Sequence, residues 1–312
     1  MKSALIIGSD SQDGILLTMI LKEKGYVVIG CSRSPITKNT KLTHYFQFDL
    51  CKSDFLILTK NIVQNNFIEL YYLSAYHNTS QDLIKHTLEE IDYSEKINYL
   101  GFLKTLDIFR SHSPSTKIFY ASSSLIFSNS LTIIQDENTN MAPACIYSLH
   151  KQAAMHAAEL YKNQYGLNII IGIMYNHESI YRKNNFLSKR IITQVQALVN
   201  GERDKIIIGN LNSNSDWGYA LDYMNAAWHL MQGPFTGKYI IASGTKHKVG
   251  DWFTVLSNYL KIDLFTYIEE DPSLILRNKP ILIGNPSKLI KTGWEPSTNF
   301  NQMIIKLYKN II

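Results

Sequence analysis

The stretch Ala4-Leu5-Ile6-Ile7-Gly8-Ser9-Asp10-Ser11-Gln12-Asp13-Gly14 decides the fold, because an uncharged apolar run ends in a turn bounded by two glycines and a helical pattern follows at Asp13–Lys24. Such a strand, tight turn and helix bring backbone N–H groups and a helix N-terminus toward a pyrophosphate. Gly8 and Gly14 hold the outer positions and Ser11 the middle one, giving G-x-x-S-x-x-G. Taken alone, this pattern also fits a plain strand-to-helix turn. Gly8, Ser11, Gln12, Asp13 and Gly14 are the candidate cofactor contacts of the turn.

Outward from this unit the same alternation repeats. Short apolar runs at Tyr26–Ser32, His44–Asp49, Glu69–Ser74, Lys117–Ser122 and Asn168–Met174 predict strands, and helical patterns at Ser53–Gln64, Ile91–Arg110 and Cys145–Tyr165 fall between them. Alternating strands and helices form right-handed βαβ units on a parallel sheet. The fold class expected is therefore α/β: a Rossmann-type, doubly wound parallel sheet with a smaller mixed C-terminal lobe. Residues 1–175 form the dinucleotide-binding part, completed by parts of 206–245, and 176–312 form the substrate lobe. That lobe is expected to hold an amphipathic helix at Phe186–Asn200, a short run at Lys205–Gly209 and a last helix at Phe300–Ile311.

The chain has 312 residues, 45% of them apolar and 18% charged, which is an ordinary globular composition. No apolar stretch reaches the ~18 residues of a membrane span, and Met1 to Gly8 lacks the pattern of a secretory signal, so a cytoplasmic enzyme with no membrane partner is expected. Cys31, Cys51 and Cys145 show no metal-ligand spacing and are odd in number, which predicts free thiols and no metal site. The formal charge is +5, but the 31 basic residues are scattered. That distribution suits a small phosphorylated anion better than a nucleic acid.

The second predicted strand ends in Gly30-Cys31-Ser32-Arg33-Ser34, with no acid to hold a ribose 2′-hydroxyl. A guanidinium with flanking hydroxyls suits a 2′-phosphate, so NADP(H) is favoured over NAD(H) unless Arg33 is only a solvated loop charge. Asp49 and Leu50, and Leu73, Ser74 and Ala75, at the ends of the next two strands, are further candidate cofactor contacts.

Tyr147-Ser148-Leu149-His150-Lys151 puts a phenol and an ammonium at i and i+4 on one helical face. A nearby ammonium and a cofactor ribose are expected to lower the phenol's pKa, so that it exchanges a proton with a substrate hydroxyl while hydride moves to a nicotinamide. The strand before it ends in Ala121-Ser122-Ser123-Ser124, where Ser123 is placed to hydrogen-bond the reacting oxygen unless the serines only cap the strand. Ser123, Tyr147 and Lys151 are thus the candidate catalytic residues.

With these segments in hand the chain resembles the GDP-mannose 4,6-dehydratase family of the extended short-chain dehydrogenases/reductases. The resemblance runs through Gly8 to Gly14, Phe119-Tyr120-Ala121-Ser122-Ser123-Ser124, Tyr175-Asn176-His177-Glu178-Ser179, Gly209-Asn210, Asp216-Trp217-Gly218-Tyr219-Ala220, and Gly284-Asn285-Pro286-Ser287-Lys288 with Gly293-Trp294. It implies a nucleotide-sugar substrate, the catalytic roles of Ser123, Tyr147 and Lys151, and a homodimer or higher oligomer paired through helices 91–110 and 145–165. Substrate contacts are expected from Ser124, Leu125, Asn176, Glu178, Ser179, Arg182, Lys189 and Asn210, with Arg190 adding basic character. His177 reads as a buried, hydrogen-bonded histidine, and Trp217 and Trp294 as core. The family's arginine before Asp-Trp-Gly is Ser215 here, which leaves the nucleobase open.

One departure bears on the chemistry. Loss of water across C5 and C6 needs a base for the C5 proton, and the family's glutamate two residues beyond the catalytic hydroxyl is Leu125. The expectation is therefore chemistry at a single carbon: reduction of a 4-keto nucleotide sugar or oxidation of its 4-hydroxyl, with a GDP-sugar foremost. A dehydratase or epimerase with a relocated base is the alternative enzyme, and a non-catalytic nucleotide-binding protein the alternative of another class.

Overall fold

The computed structural model describes residues 2–77, 87–276 and 280–312. Strands β1 (Ser3–Ile7), β2 (Val27–Ser32), β3 (His44–Gln47), β4 (Glu69–Tyr72), β5 (Lys117–Ser123), β6 (Ile169–Met174), β7 (Asn176–Glu178), β8 (Asn214–Tyr219), β9 (Gly237–Ile241) and β10 (Lys246–Lys248) are joined by helices α1 (Gln12–Glu23), α2 (Leu56–Asn65), α3 (Leu88–Glu95), α4 (Gly101–His112), α5 (Ile146–Tyr165), α6 (Leu187–Val199), α7 (Ala220–Gln232), α8 (Val249–Leu260) and α9 (Phe300–Lys309). Seven strands form one sheet in the order β9-β6-β5-β4-β1-β2-β3. Every pairing in it is parallel. This is the doubly wound Rossmann-type sheet that the alternating pattern predicts.

Parallel strands are covered on both faces, so their sequences run apolar without alternation. Ala4, Leu5, Ile6 and Ile7 of β1 and Ile169, Ile170, Ile171 and Ile173 of β6 are all buried. Helix α1 packs with α7, and α4 packs with α2 and α5, so the two groups flank the sheet. The strand order reverses around β1 and β4, and α/β sheets bind ligands at the carboxyl ends of strands at such a point.

Several boundaries differ from the sequence expectation. The helix expected at Ser53–Gln64 begins at Leu56, after Asp54 accepts the Leu56 amide at 2.9 Å. The pattern at Ile91–Arg110 belongs to a longer helical stretch, α3 and α4 joined by a π-turn at Lys96–Leu100. In that turn the carbonyls of Ile97 and Asn98 accept the Tyr72 and Tyr120 hydroxyls at 2.8 and 3.2 Å. Beyond Asn176 the chain is more regular than the sequence suggested, since β8, α7 and α8 escaped the reading, and β9 returns to the edge of the main sheet.

A second apolar cluster gathers Ile191, Trp217, Trp252, Phe253, Met303 and Ile304 from α6, β8, α8 and α9. The small sheet β10-β8-β7 contributes Trp217 and Tyr219 to it. Its anchor is Asp216, buried, whose carboxylate accepts Ser243 Oγ at 2.6 Å and the amides of Ser243, Gly244 and Gly284 at 3.0, 3.1 and 3.2 Å. The three cysteines are free, no described helix is long and apolar enough to cross a membrane, and no group of described side chains converges as metal ligands.

Candidate active site

The turn after β1 is built by contacts that leave no room for side chains at its glycines. Gly8 has φ +94°, and a Cβ there would meet the Ser74 amide nitrogen at 2.8 Å; at Gly14 it would meet the Gly8 carbonyl at 2.5 Å. Gly8 and Ser9 donate to the Cys31 carbonyl at 2.9 and 3.1 Å, which presses the turn against the end of β2. Ser11 is the N-cap of α1: its hydroxyl accepts the Gly14 amide at 3.0 Å and donates to the Gly8 carbonyl at 2.8 Å. The serine at the middle position thus stabilises the turn. The Gln12 and Asp13 amides of the first helical turn have no intrahelical acceptor. The tight turn, the helix N-terminus and the adjacent Leu73 and Ser74 fit a dinucleotide pyrophosphate.

Gln12 and Asp13 also tie this turn to β7. Gln12 donates to the His177 carbonyl at 3.0 Å and accepts Ser179 Oγ at 2.8 Å. His177 Nδ1 lies 2.6 Å from the Tyr175 carbonyl and Nε2 3.0 Å from the Asp13 carboxylate. Burial alone would favour the neutral form of each, but their mutual attraction prevails, so the histidine is held above and the aspartate below its ordinary pKa.

At the end of β5, Ser123 caps a single 3-10 turn, Ser124–Phe127, by accepting the Leu125 amide at 3.3 Å. Helix α5 brings Tyr147 and Lys151 to the same strand end. Lys151, buried, donates to the Ala121 carbonyl at 2.8 Å and lies 5.9 Å from the centroid of the Tyr147 ring. Burial lowers its pKa to about 7, against a partial pull upward from Asp13. Burial likewise raises the Tyr147 phenol to about 12, with the Ser123 hydroxyl acting to lower it. The chain's own groups therefore do not depress the phenol in the way the i, i+4 spacing suggested, because desolvation outweighs them.

Leu125 is partly buried against the main core. The ring of His77, just beyond β4, meets the Tyr147 ring edge-on, with centroids 4.6 Å apart. Sequence reasoning passed over His77, and also Asn98 in the π-turn, which donates to the Tyr76 carbonyl at 2.9 Å and accepts the Tyr76 amide at 3.0 Å. The only signal for Asn98 was a polar residue within a helical pattern.

The remaining candidates divide by environment. Asn176 donates to Ser215 Oγ at 2.5 Å, and Ser179 faces Gln12. Glu178 is buried between Ser188 Oγ at 2.5 Å and the Arg182 guanidinium at 3.0 Å, which in turn stacks 3.8 Å over the Phe186 ring. Lys189 donates to the Ile180 carbonyl at 3.4 Å. Ser124 is buried, and Asn210 sits on an exposed turn where it accepts the Asn212 amide at 2.7 Å. Asp49 accepts the Cys51 amide at 2.9 Å, Leu50 approaches Gly101, and Ala75 is exposed beyond β4. Arg33 is exposed at the end of β2, and its charge acts on Cys51. An acid does reach that strand end, from another element: Asp10 of the glycine turn accepts Ser32 Oγ at 2.8 Å.

The family model described as GDP-mannose 4,6 dehydratase matches residues 5–307. The chain is 30% identical to GDP-mannose 4,6 dehydratase 2 of Arabidopsis thaliana, over 97% of this chain and 85% of that protein. It is 28% identical to GDP-mannose 4,6 dehydratase of Dictyostelium discoideum, over 97% and 94%. The crystal structure of dTDP-glucose 4,6-dehydratase from Bacillus anthracis in complex with NAD has the same fold, with a TM-score of 0.83 at 16% identity over 99% of this chain and 96% of that one. A match along nearly the whole chain, joined to the glycine turn and the Ser123, Tyr147 and Lys151 arrangement, places the chain in the GDP-mannose 4,6-dehydratase family.

Proposed function

We propose that the chain is an oxidoreductase that transfers hydride between a nicotinamide dinucleotide and C4 of a nucleotide-activated sugar, a GDP-sugar foremost, as a 4-keto reductase or C4 dehydrogenase. The observation that carries the reading is the convergence of Ser123, Tyr147 and Lys151 at the end of β5, with Leu125 where an eliminating base would stand. The Gly8–Gly14 turn would hold a nicotinamide dinucleotide, which would supply or receive the hydride. Ser123 hydrogen-bonds the C4 oxygen, Tyr147 exchanges its proton, and Lys151 stabilises charge on the phenol side. With a leucine at 125, the C5 proton stays in place.

A second reading, loss of water across C5 and C6, draws support from the relatives, which are themselves named 4,6-dehydratases. It also draws on His77, whose imidazole touches Tyr147 and is chemically able to accept a proton. GDP-mannose and dinucleotide incubated in heavy water separate the two. The first reading gives hydride exchange at C4 with little solvent deuterium at C5. Rapid deuterium uptake at C5 with loss of the C6 oxygen would establish the second, and uptake without that loss an epimerase.

A further inference from the structure

We infer that Asp10 makes this protein selective for NAD(H) over NADP(H), by placing a carboxylate where the adenosine ribose presents its 2′ position. The inference rests on the dinucleotide reading above and sharpens it. In a doubly wound sheet the end of the second strand meets that ribose, and an acid there accepts the 2′-hydroxyl whereas a cation accommodates a 2′-phosphate. The strand's own end, Ser32-Arg33-Ser34, favoured the phosphate. The structure adds a carboxylate that the strand's sequence does not show.

Asp10 stands in the turn between β1 and α1, and its side chain crosses to the end of β2. Oδ2 accepts the Ser32 hydroxyl at 2.8 Å, and Oδ1 accepts the Thr37 hydroxyl and the Lys38 amide, the latter at 3.2 Å. Ser32 ends β2, and the other two donors come from the segment that follows it, which folds back over the glycine turn. Asn39, buried, fixes that segment by donating to the Ser9 carbonyl at 3.0 Å and to Thr18 Oγ1 at 2.8 Å. The carboxylate is therefore held in one place by three neutral donors. None of them removes its charge, and a carboxylate keeps acceptor capacity beyond three bonds.

Ser32 links Asp10 onward to Tyr45, whose hydroxyl lies 2.9 Å from Ser32 Oγ. Burial, and secondarily the Asp10 charge, raise the Tyr45 phenol. The Asp10 charge thus acts at this strand end. The Arg33 side chain is exposed, where water and salt screen its charge, whereas Asp10 is partly buried and held by its three donors. A ribose 2′-hydroxyl brought here meets an acceptor, whereas a dianionic 2′-phosphate meets a fixed like charge.

The test is equilibrium binding of NADH and NADPH to the full chain, followed by cofactor fluorescence, for the wild type, Asp10→Asn and Arg33→Ala. The wild type is expected to bind NADH at least tenfold more tightly than NADPH. Asp10→Asn should narrow that ratio by tenfold or more, chiefly through stronger NADPH binding, and Arg33→Ala should leave it within about threefold. Equal or tighter NADPH binding by the wild type overturns the inference, even if Asp10→Asn does not fold. An unchanged ratio in folded Asp10→Asn overturns it too. If neither cofactor binds the wild type, the dinucleotide reading itself fails, and the inference with it.

Discussion

His177 Nε2 lies 3.0 Å from the Asp13 carboxylate while Nδ1 lies 2.6 Å from the Tyr175 carbonyl. Both neighbours are acceptors, so both ring nitrogens must carry a proton, and the pair bridges the first turn of α1 to β7. The glycine turn after β1 and the Tyr175–Ser179 segment are thereby fixed to one another.

This bridge has a pH signature. A histidine raised above its ordinary pKa stabilises the fold below about 6.5 and loses that contribution as pH climbs through the raised value; an aspartate held low contributes above about 4 and loses it as pH falls through the lowered value. The stability advantage of the wild type over His177→Gln should therefore be largest near pH 5.5 and shrink toward pH 9. Urea midpoints at the two pH values measure it, and a difference that is flat with pH would mean the histidine is neutral.

Ser11 offers a second, local check. Its hydroxyl caps α1, and loss of a serine cap costs about 1 kcal/mol while glycine at the same position costs only a few tenths. Ser11→Ala should lower the unfolding free energy by about that amount and Ser11→Gly by much less, in chemical denaturation without cofactor. Equal losses would mean that the hydroxyl bond is not what the position contributes.

Much of this was legible in the residues. Apolar runs such as Ala4–Ile7, alternating with helical patterns, point to a parallel sheet covered on both faces, and Tyr147 and Lys151 must share a helical face, so the sheet and the candidate site at its end could be read from spacing. What could not be read depends on contacts between distant segments. Asp10 looked like an unspecified position in a glycine turn, and only the fold shows it reaching Ser32. Asn98 and His77 likewise meet the site through a π-turn and a strand end that sequence periodicity does not encode. The same limit explains the phenol: spacing reports the Lys151 neighbour of Tyr147 but not the burial that raises the phenol's pKa.

Lys151 should leave its own trace on stability. Its folded pKa is about 7, against an ordinary 10.5, so the unfolded chain binds more protons between those values and the fold gains stability as pH rises through that window. Lys151→Met lacks the group and should show a smaller gain. Urea midpoints of both proteins at pH 7.5 and 9.5 make the comparison, and parallel changes would show that the amine is charged throughout.

Tyr147→Phe removes only the hydroxyl proposed to exchange the proton. Turnover should fall by about 10²- to 10⁴-fold, with dinucleotide affinity within about twofold of wild type. Turnover within tenfold of wild type would take Tyr147 out of the proposed role.

Leu125→Glu addresses the elimination step that the proposed function leaves out. The position is two residues beyond Ser123, its amide bound to the Ser123 hydroxyl at 3.3 Å and its carbonyl accepting the Ser128 amide at 3.1 Å, so the backbone is fixed from both sides. A glutamate would lie partly buried against the core, where desolvation favours its protonated form, and its capacity to take the C5 proton should therefore grow with pH. With GDP-mannose and dinucleotide, Leu125→Glu should yield a 4-keto-6-deoxy product at a rate that rises between pH 6 and 9. Leu125→Gln, of nearly the same shape without the acid, should yield none, and neither should the wild type. Product from the wild type, abolished in His77→Phe while dinucleotide binding persists, would assign the missing base to the imidazole beside Tyr147 and make the chain a dehydratase with that base in place of the glutamate.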